Sequence, residues 1–417
     1  MKAWIARVCV GAALAVATPG LAGTWAGKEL TKDGVTHLMN PAAPADGATA
    51  LAPPELWRVG GDDDDDIIFG VLRDIAIDRS GNVYLLDVQL NQVMVFDREG
   101  TFLRTIGREG EGPGEFRQPS SFFITPEGKI AVVQAMPGKI ILLNPDGTPA
   151  GDFKTPDAGD GGMRMFWAAG SAGNSVVLGT NEFSQRDGSF NYAARFLLLD
   201  ASGKSRTVLH EKSGKRDMAN MGFDEKESFR LQWASGSDGR VYIAADFDAY
   251  TINCYGPSGA LERVIEREYA HRDRSKKEME ENKPRIVLRN DRGTQRPNVT
   301  ASPTDPDVLR MFARDDGTLW VISSHGGLDR AAGTVATVDV FDASGRFVQQ
   351  VALKADGTFR DDGVLVVGDH LFVLKELRAA QRAMAGGDDE EGQAEEEEAE
   401  PMSVVCYRLT PTAAAKR

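Results

Sequence analysis

The sequence predicts an all-β fold, a ring of six four-stranded sheets forming a β-propeller, on three observations. A tight turn built on an acidic or polar residue and glycine recurs six times: DRSGNVY (78–84), TPEGKIA (125–131), SAGNSVV (171–177), SDGRVYI (237–243), DDGTLWV (315–321) and VVGDHLFV (366–373). A second turn follows most copies, in FDREGTFL (96–103), LNPDGTPA (143–150), LDASGKSR (199–206), YGPSGALE (255–262) and FDASGRFV (341–348). Two hairpins per repeat make one sheet, and such sheets stack round an axis as blades. The third observation is size: six blades of roughly 40–50 residues account for the 417-residue chain without a second core.

The first blade sets the pattern. RDIAID (73–78) alternates apolar and polar, followed by NVYLLD (82–87), QVMVFD (92–97) and FLRTIG (102–107), each short and rich in β-branched or aromatic residues. The second blade repeats this order, with the same 19 residues from first to second turn glycine (Gly81 to Gly100, Gly128 to Gly147), and the fourth needs 20. Blades three and five stretch that spacing to 30 and 28, through NEFSQRDGSFNY (181–192) and SSHGGLDRAAG (323–333). Both insertions lie between second and third strands, which places them as loops on the upper face, where the blade-to-blade crossings also emerge. Blade six has three strands and then the chain ends. Glu55-Leu56-Trp57-Arg58-Val59-Gly60, just before blade one, is expected to supply its outer strand and close the ring.

The remaining segments complete the division. Residues 1–22 carry Lys2 and Arg7, a short apolar run from Val8 to Ala17 and small residues after Pro19, a secretory signal peptide too short to span a membrane. A secreted or periplasmic location follows, with no membrane span. Residues 23–54 read as a flexible leader, 55–411 as the propeller and 412–417 as a tail. Within the propeller, 261–300 is a charged insertion with helical spacing ended by Pro284, and 379–401 an acidic loop expected to be disordered. Cys254 and Cys406 fall in non-neighbouring blades and are expected as buried free thiols.

The net charge of −14 is carried by two runs, the five acids Asp62 to Asp66 and the nine between Asp388 and Glu400. The rest of the chain is balanced, so no basic face remains for nucleic acid. The Asp62–Asp66 run is a solvated loop or a collector of divalent cations.

Residues 56–155, from the first-blade segment IAIDRSGNVYLLDVQLNQVMVFDREGTFLRTIG through REGEGPGEFRQPSSFFITPEGKIAV, resemble the NHL-type repeat of secreted bacterial 6-bladed β-propeller proteins. That resemblance implies fold and export but no established reaction. Related NHL-like propellers include binding modules, an amidating lyase with metal-bound histidines and calcium-dependent lactonases, whose acidic and amide side chains hold the ion at the channel mouth.

Candidate chemistry is sparse. GREGEGPGEF (107–116) lacks the Gly-Lys-Ser/Thr ending and leads into a strand, so it is a crossing and not a phosphate loop. Of His37, His210, His271, His325 and His370, only His325 is expected on an upper-face loop, so no histidine-ligated zinc is expected. Asp87, Asn181, Glu182, Asp246 and Asp248 sit at or past the ends of second strands and offer oxygen ligands for calcium, the candidate cofactor, although Asp87 and Asn91 also suit a turn brace. Arg73, Arg164, Arg230 and Arg310 stand seven to nine residues before their turn glycines at the starts of inner strands. Such arginines either ring the channel mouth, with Trp167, Trp233 and Phe312 as apolar walls, or pair with carboxylates such as Glu109, Glu111 or Glu115. No nucleophile elbow is present. The chain therefore reads as a monomeric, exported module that binds a small anionic ligand or a protein partner through its upper face and channel mouth. The alternative is a calcium-dependent lactonase-type enzyme, distinguished by three or more of the oxygen ligands, Glu376 included, meeting at one spot.

Overall fold

The structure, a computed structural model, describes residues 23–409 other than 63, 65, 156–161, 187–188, 204–205, 218–222, 228–231, 282–287, 291–292, 296–298 and 387–399. Residues 1–22, expected as a signal peptide, the tail at 412–417, Arg230, Pro284 and the acidic run up to Ala399 lie outside the described residues.

Four N-terminal strands, β1 (Lys28–Lys32), β2 (Val35–Asn40), β3 (Ala48–Leu51) and β4 (Glu55–Gly60), precede the first blade. Blade one is β5 (Leu72–Ile77), β6 (Val83–Asp87), β7 (Gln92–Phe96) and β8 (Phe102–Ile106). Blade two is β9 (Pro119–Ile124), β10 (Ile130–Gln134), β11 (Lys139–Leu143) and β12 (Pro149–Phe153). Blade three is β13 (Met163–Ala172), β14 (Ser175–Arg186), β15 (Ser189–Leu199) and β16 (Arg206–Asp217). A short β17 (Phe223–Asp224) leads to blade four: β18 (Gln232–Ser235), β19 (Val241–Ala244), β20 (Thr251–Tyr255) and β21 (Leu261–Arg267). Helix α1 (Lys276–Glu281), a small hairpin of β22 (Leu288–Asn290) and β23 (Gly293–Gln295), and β24 (Val299–Thr300), which pairs in parallel with β17, connect to blade five. Blade five is β25 (Val308–Ala313), β26 (Leu319–Ser323), β27 (Ala336–Phe341) and β28 (Phe347–Leu353), with α2 (Ser324–Leu328) in its upper loop. Blade six is β29 (Gly363–Val367), β30 (His370–Lys375) and β31 (Ser403–Arg408), with α3 (Leu377–Gly386) above. Its outer strand is β4, with Trp57 opposite Cys406, so the ring is closed by the segment the sequence nominated. The fold is all-β, a six-bladed propeller.

The turns explain the repeat. Asp78 Oδ1 accepts from the Ser80 and Asn82 amides at 2.8 and 2.9 Å, and the Gly81 amide returns to the Asp78 carbonyl at 3.0 Å. Gly81 has φ +86°, a conformation in which a side chain is strained, so acid and glycine recur together. The core follows from strand alternation. Second strands are buried on both faces: in β6, Val83 and Leu85 pack towards blade six while Tyr84 and Leu86 pack towards blade two. A separate hydrophobic cluster fills each of the six blade junctions. Cys254 and Cys406 are buried free thiols, pushed up by burial to about 11 and about 12.

Four expectations need correction. Residues 23–54 are not a flexible leader but a belt round the outside of the ring. Strand β2 pairs in parallel with β21 and β3 with β28, so chain segments cover the outer edges of blades four and five. Leu38, 1% exposed, inserts into the junction of those blades. The buried Asn40 side chain accepts from Phe347 N (2.7 Å) and Trp25 Nε1 (2.8 Å) and donates to the Glu266 and Gly345 carbonyls. In the charged insertion 261–300, Leu261–Arg267 is the outer strand of blade four, and helix is confined to Lys276–Glu281 among the described residues. The segment 379–401 begins as helix α3, with Met402 buried just beyond it. The blade-three insertion is no loop: it lengthens β14 and β15 into a continuous hairpin paired from Val176↔Leu199 to Arg186↔Ser189.

Candidate functional site

The six inner strands touch in the order β5, β9, β13, β18, β25, β29 and back to β5, which encloses an axial channel. The channel holds a cavity of about 360 Å³ lined by every blade: Arg73 and Asp74, Ser120 and Ser121, Trp167 and Ala168, Gln232 and Trp233, Arg310 to Phe312, and Leu365 and Val366. Consecutive residues of one strand should point to opposite faces. In blades one, two and three they line the same cavity where the pairing of β5, β9 and β13 with their second strands slips by one residue, at Arg73, Ser120 and Trp167, whereas Gln232 with Trp233 and Leu365 with Val366 do so in unbroken register. Such a bulge re-aims a side chain, and in blades one and three it delivers an arginine and an indole to the axis.

Among the described residues three charged side chains line the cavity. Burial pushes the Asp74 carboxyl up from the ordinary carboxylate range, against the Ser121 hydroxyl, the Arg73 and Arg310 guanidinium groups and the Phe122 backbone, all of which favour its ionised form. Burial likewise pulls Arg310 down, against Asp74. Arg310 Nη1 donates to the Val364 carbonyl at 3.1 Å, bridging blades five and six. The Ser120 and Ser121 hydroxyls donate to the Phe166 and Ala169 carbonyls of blade three (2.9 and 3.4 Å), so they seal a junction. Across from Arg73 and Asp74, Trp167 and Trp233 both pack on Phe196, at 5.0 and 5.7 Å between ring centroids. Two glycines make room for them: a Cβ on Gly179 or on Gly170 would come within 2.8 Å of Trp167 or Trp233. The indole Nε1 of Trp167 is buried without a hydrogen-bond partner among the described residues.

The nominated arginines divide. Arg73 and Arg310 line the cavity with Trp167, Trp233 and Phe312. Arg164 does not: it sits opposite Glu182 on the elongated blade-three hairpin, over the Phe166 ring, with Nη2 3.4 Å from Thr155 Oγ1. Arg230 lies outside the described residues. Glu111 and Glu115 pair with Arg117 (2.8 Å) and Arg108 (2.7 Å), not with the channel arginines. The carboxylate that faces those arginines is Asp74, unmarked in the sequence because it follows Arg73 as an ordinary polar position.

The oxygen ligands nominated for calcium are engaged separately. Both oxygens of the fully buried Asp87 accept backbone amides, from Gly70 (2.7 Å), Val71 (3.2 Å), Gln89 (3.0 Å) and Leu90 (2.9 Å), which makes it a turn brace. Glu182 pairs with Arg195, and Asp248 with Lys226 (2.6 Å) and Thr304 (3.1 Å). Asn181 stands beside Glu182 in β14, and Asp246 lies past β19 in the field of His210. Among the described residues no three His, Cys, Asp or Glu side chains gather in a way that could hold a metal ion.

His325 is on the upper face, in α2, but away from the cavity: Nδ1 meets Asp329 at 2.7 Å and Nε2 the Ala270 carbonyl at 3.0 Å. Sequence reasoning set His271 aside, yet it reaches the same blade four to five junction. Its Nδ1 is 2.9 Å from Asp307, whose side chain is 1% exposed, and that hydrogen bond pushes the imidazole up from its usual value. Beside it Arg272 bonds Asp305, Asp329 and Glu278 at 2.6–2.8 Å, and Arg274 bonds Glu225 and Asp305 at 2.6–2.9 Å.

A family model described as a 6-bladed beta-propeller matches residues 64–158. No curated protein matches the chain. The solved structures to which the chain is similar are of low identity. A protein of Bacteroides fragilis inferred to be exported is 14% identical, covering 90% of this chain and 100% of that one, with a TM-score of 0.45. The calcium-binding protein regucalcin of Agrobacterium tumefaciens is 11% identical over 87% and 98%, with a TM-score of 0.44. A gluconolactonase of Xanthomonas campestris is 12% identical over 88% and 98%, with a TM-score of 0.37. No helix among the described residues is long and apolar enough to cross a membrane.

Proposed function

We propose that this chain is an exported binding module that takes a small anionic ligand into the upper part of its central channel. The observation that carries this is the axial cavity, in which Arg73 and Arg310 outnumber one carboxylate and indole rings supply an apolar wall. A guanidinium fork fits carboxylate or phosphate, and concave sites of a few hundred Å³ with few polar groups are where small molecules bind. Export rests on the basic and apolar pattern of residues 1–22. The separate engagement of Asp87, Glu182 and Asp248 favours binding over calcium-dependent hydrolysis.

The test is thermal unfolding of wild type and Arg73→Gln against a panel of small carboxylates and phosphates. Ligand that binds only the native state raises Tm. At least one compound should stabilise the wild type and lose that effect in Arg73→Gln. A panel that leaves the wild type unmoved, or a shift that survives the substitution, contradicts the proposal.

A further inference from the structure

The cavity is polarised, and its polarity specifies more than an anion. With six inner strands in order round the axis, β5 of blade one lies across from β18 of blade four. Arg73 and Asp74 therefore face Gln232 and Trp233, while Trp167 extends the aromatic wall on the neighbouring blade. The polar side is a donor and acceptor pair: guanidinium from Arg73, with Arg310 nearby, and carboxylate from Asp74 one residue on. A simple anion would satisfy the arginines but would offer Asp74 no donor. A group carrying an anionic acceptor and a cationic donor side by side satisfies both. The opposite wall offers indole rings, apolar surface that suits a flat ring.

Building on the ligand-binding reading of this same cavity, we infer that its ligand is an aromatic zwitterion of the free amino acid class, with carboxylate on Arg73, ammonium on Asp74 and ring against Trp167 and Trp233. The pairing of head and ring is what distinguishes it from other small anions. Ser120 and Ser121 are assigned no part in recognition: both hydroxyls reach blade-three carbonyls, and that of Ser121 also supports Asp74.

The test is calorimetric titration of the full-length mature protein with three probes: L-phenylalanine, 3-phenylpropionate, which lacks the ammonium, and 2-phenylethylamine, which lacks the carboxylate. L-phenylalanine should bind at least about tenfold more tightly than either, the factor expected for one lost charged hydrogen bond. In Asp74→Asn the preference over 3-phenylpropionate should vanish. Equal binding of 3-phenylpropionate and L-phenylalanine to the wild type overturns the zwitterion inference and leaves the anion site standing. Equal binding of 2-phenylethylamine overturns it too, and takes the arginine role with it. Binding by none of the three overturns the inference, while the carboxylate and phosphate panel decides the broader proposal separately. The wild-type comparison alone is decisive should Asp74→Asn fail to fold.

Discussion

Two groups of buried charge in this molecule have opposite fates. At the upper junction of blades four and five, Arg272, Arg274, Glu225, Glu278 and Asp305 are saturated by one another. In the axial channel, Arg73, Asp74 and Arg310 border a void instead. The contrast teaches that burial of charge does not by itself mark a functional site. Charges packed solidly against each other fix two blades in place, whereas charges that hold their neighbours and also line a cavity can meet a ligand there.

The comparison can be broken in order of expected effect. Arg274→Ala should be the most damaging change, since the arginine is 5% exposed and its loss takes the ion-pair partner from Glu225 and leaves Asp305 with Arg272 alone. A loss of about 3–5 kcal/mol in urea unfolding is expected, with less than about 1 kcal/mol sinking the structural role. Asn40→Ala should cost about 1–3 kcal/mol by stranding the Phe347 amide and the Gly345 carbonyl it bonds. Protease protection of residues 28–51 should fall with it; a belt equally resistant in the variant argues against the anchoring role. Arg73→Gln should shift stability by less than either while removing ligand binding, and large destabilisation would make Arg73 a member of the structural class. His271 gives the smallest effect. Its folded-state pKa is raised by Asp307, so the stabilisation is complete below the unfolded value of about 6.5 and fades as pH rises through the raised value. His271→Gln should flatten that shallow loss as pH rises above about 6.5, and an unchanged slope would remove His271 as its source.

Local features were legible in the sequence and long-range ones were not. Turn glycines such as Gly81, strand alternation and the closing strand at Trp57 are written in a few neighbouring residues. The belt was missed because parallel pairing to the outer strand of a finished blade leaves no turn signature, and β1 to β3 lie among Ala, Pro and Thr. Counting back from turn glycines found Arg73 and Arg310 but misplaced Arg164, because the register slip at Trp167 and the elongated β14 put a nine-residue offset above the cavity. Asp74 was hidden in an alternating strand whose bulge cannot be read from residue types. His271 and Asp307 meet only because the crossing into blade five brings two residues 36 apart in sequence back to one junction.

The central claim, that the channel and not the charged junction is the recognition site, is tested most directly by a crystal structure of the protein soaked with L-phenylalanine. Density for the ligand between Trp233 and the Arg73–Asp74 pair is expected. A channel without ligand density in crystals whose upper face is open, with the amino acid at the blade four to five junction or nowhere, would contradict the account.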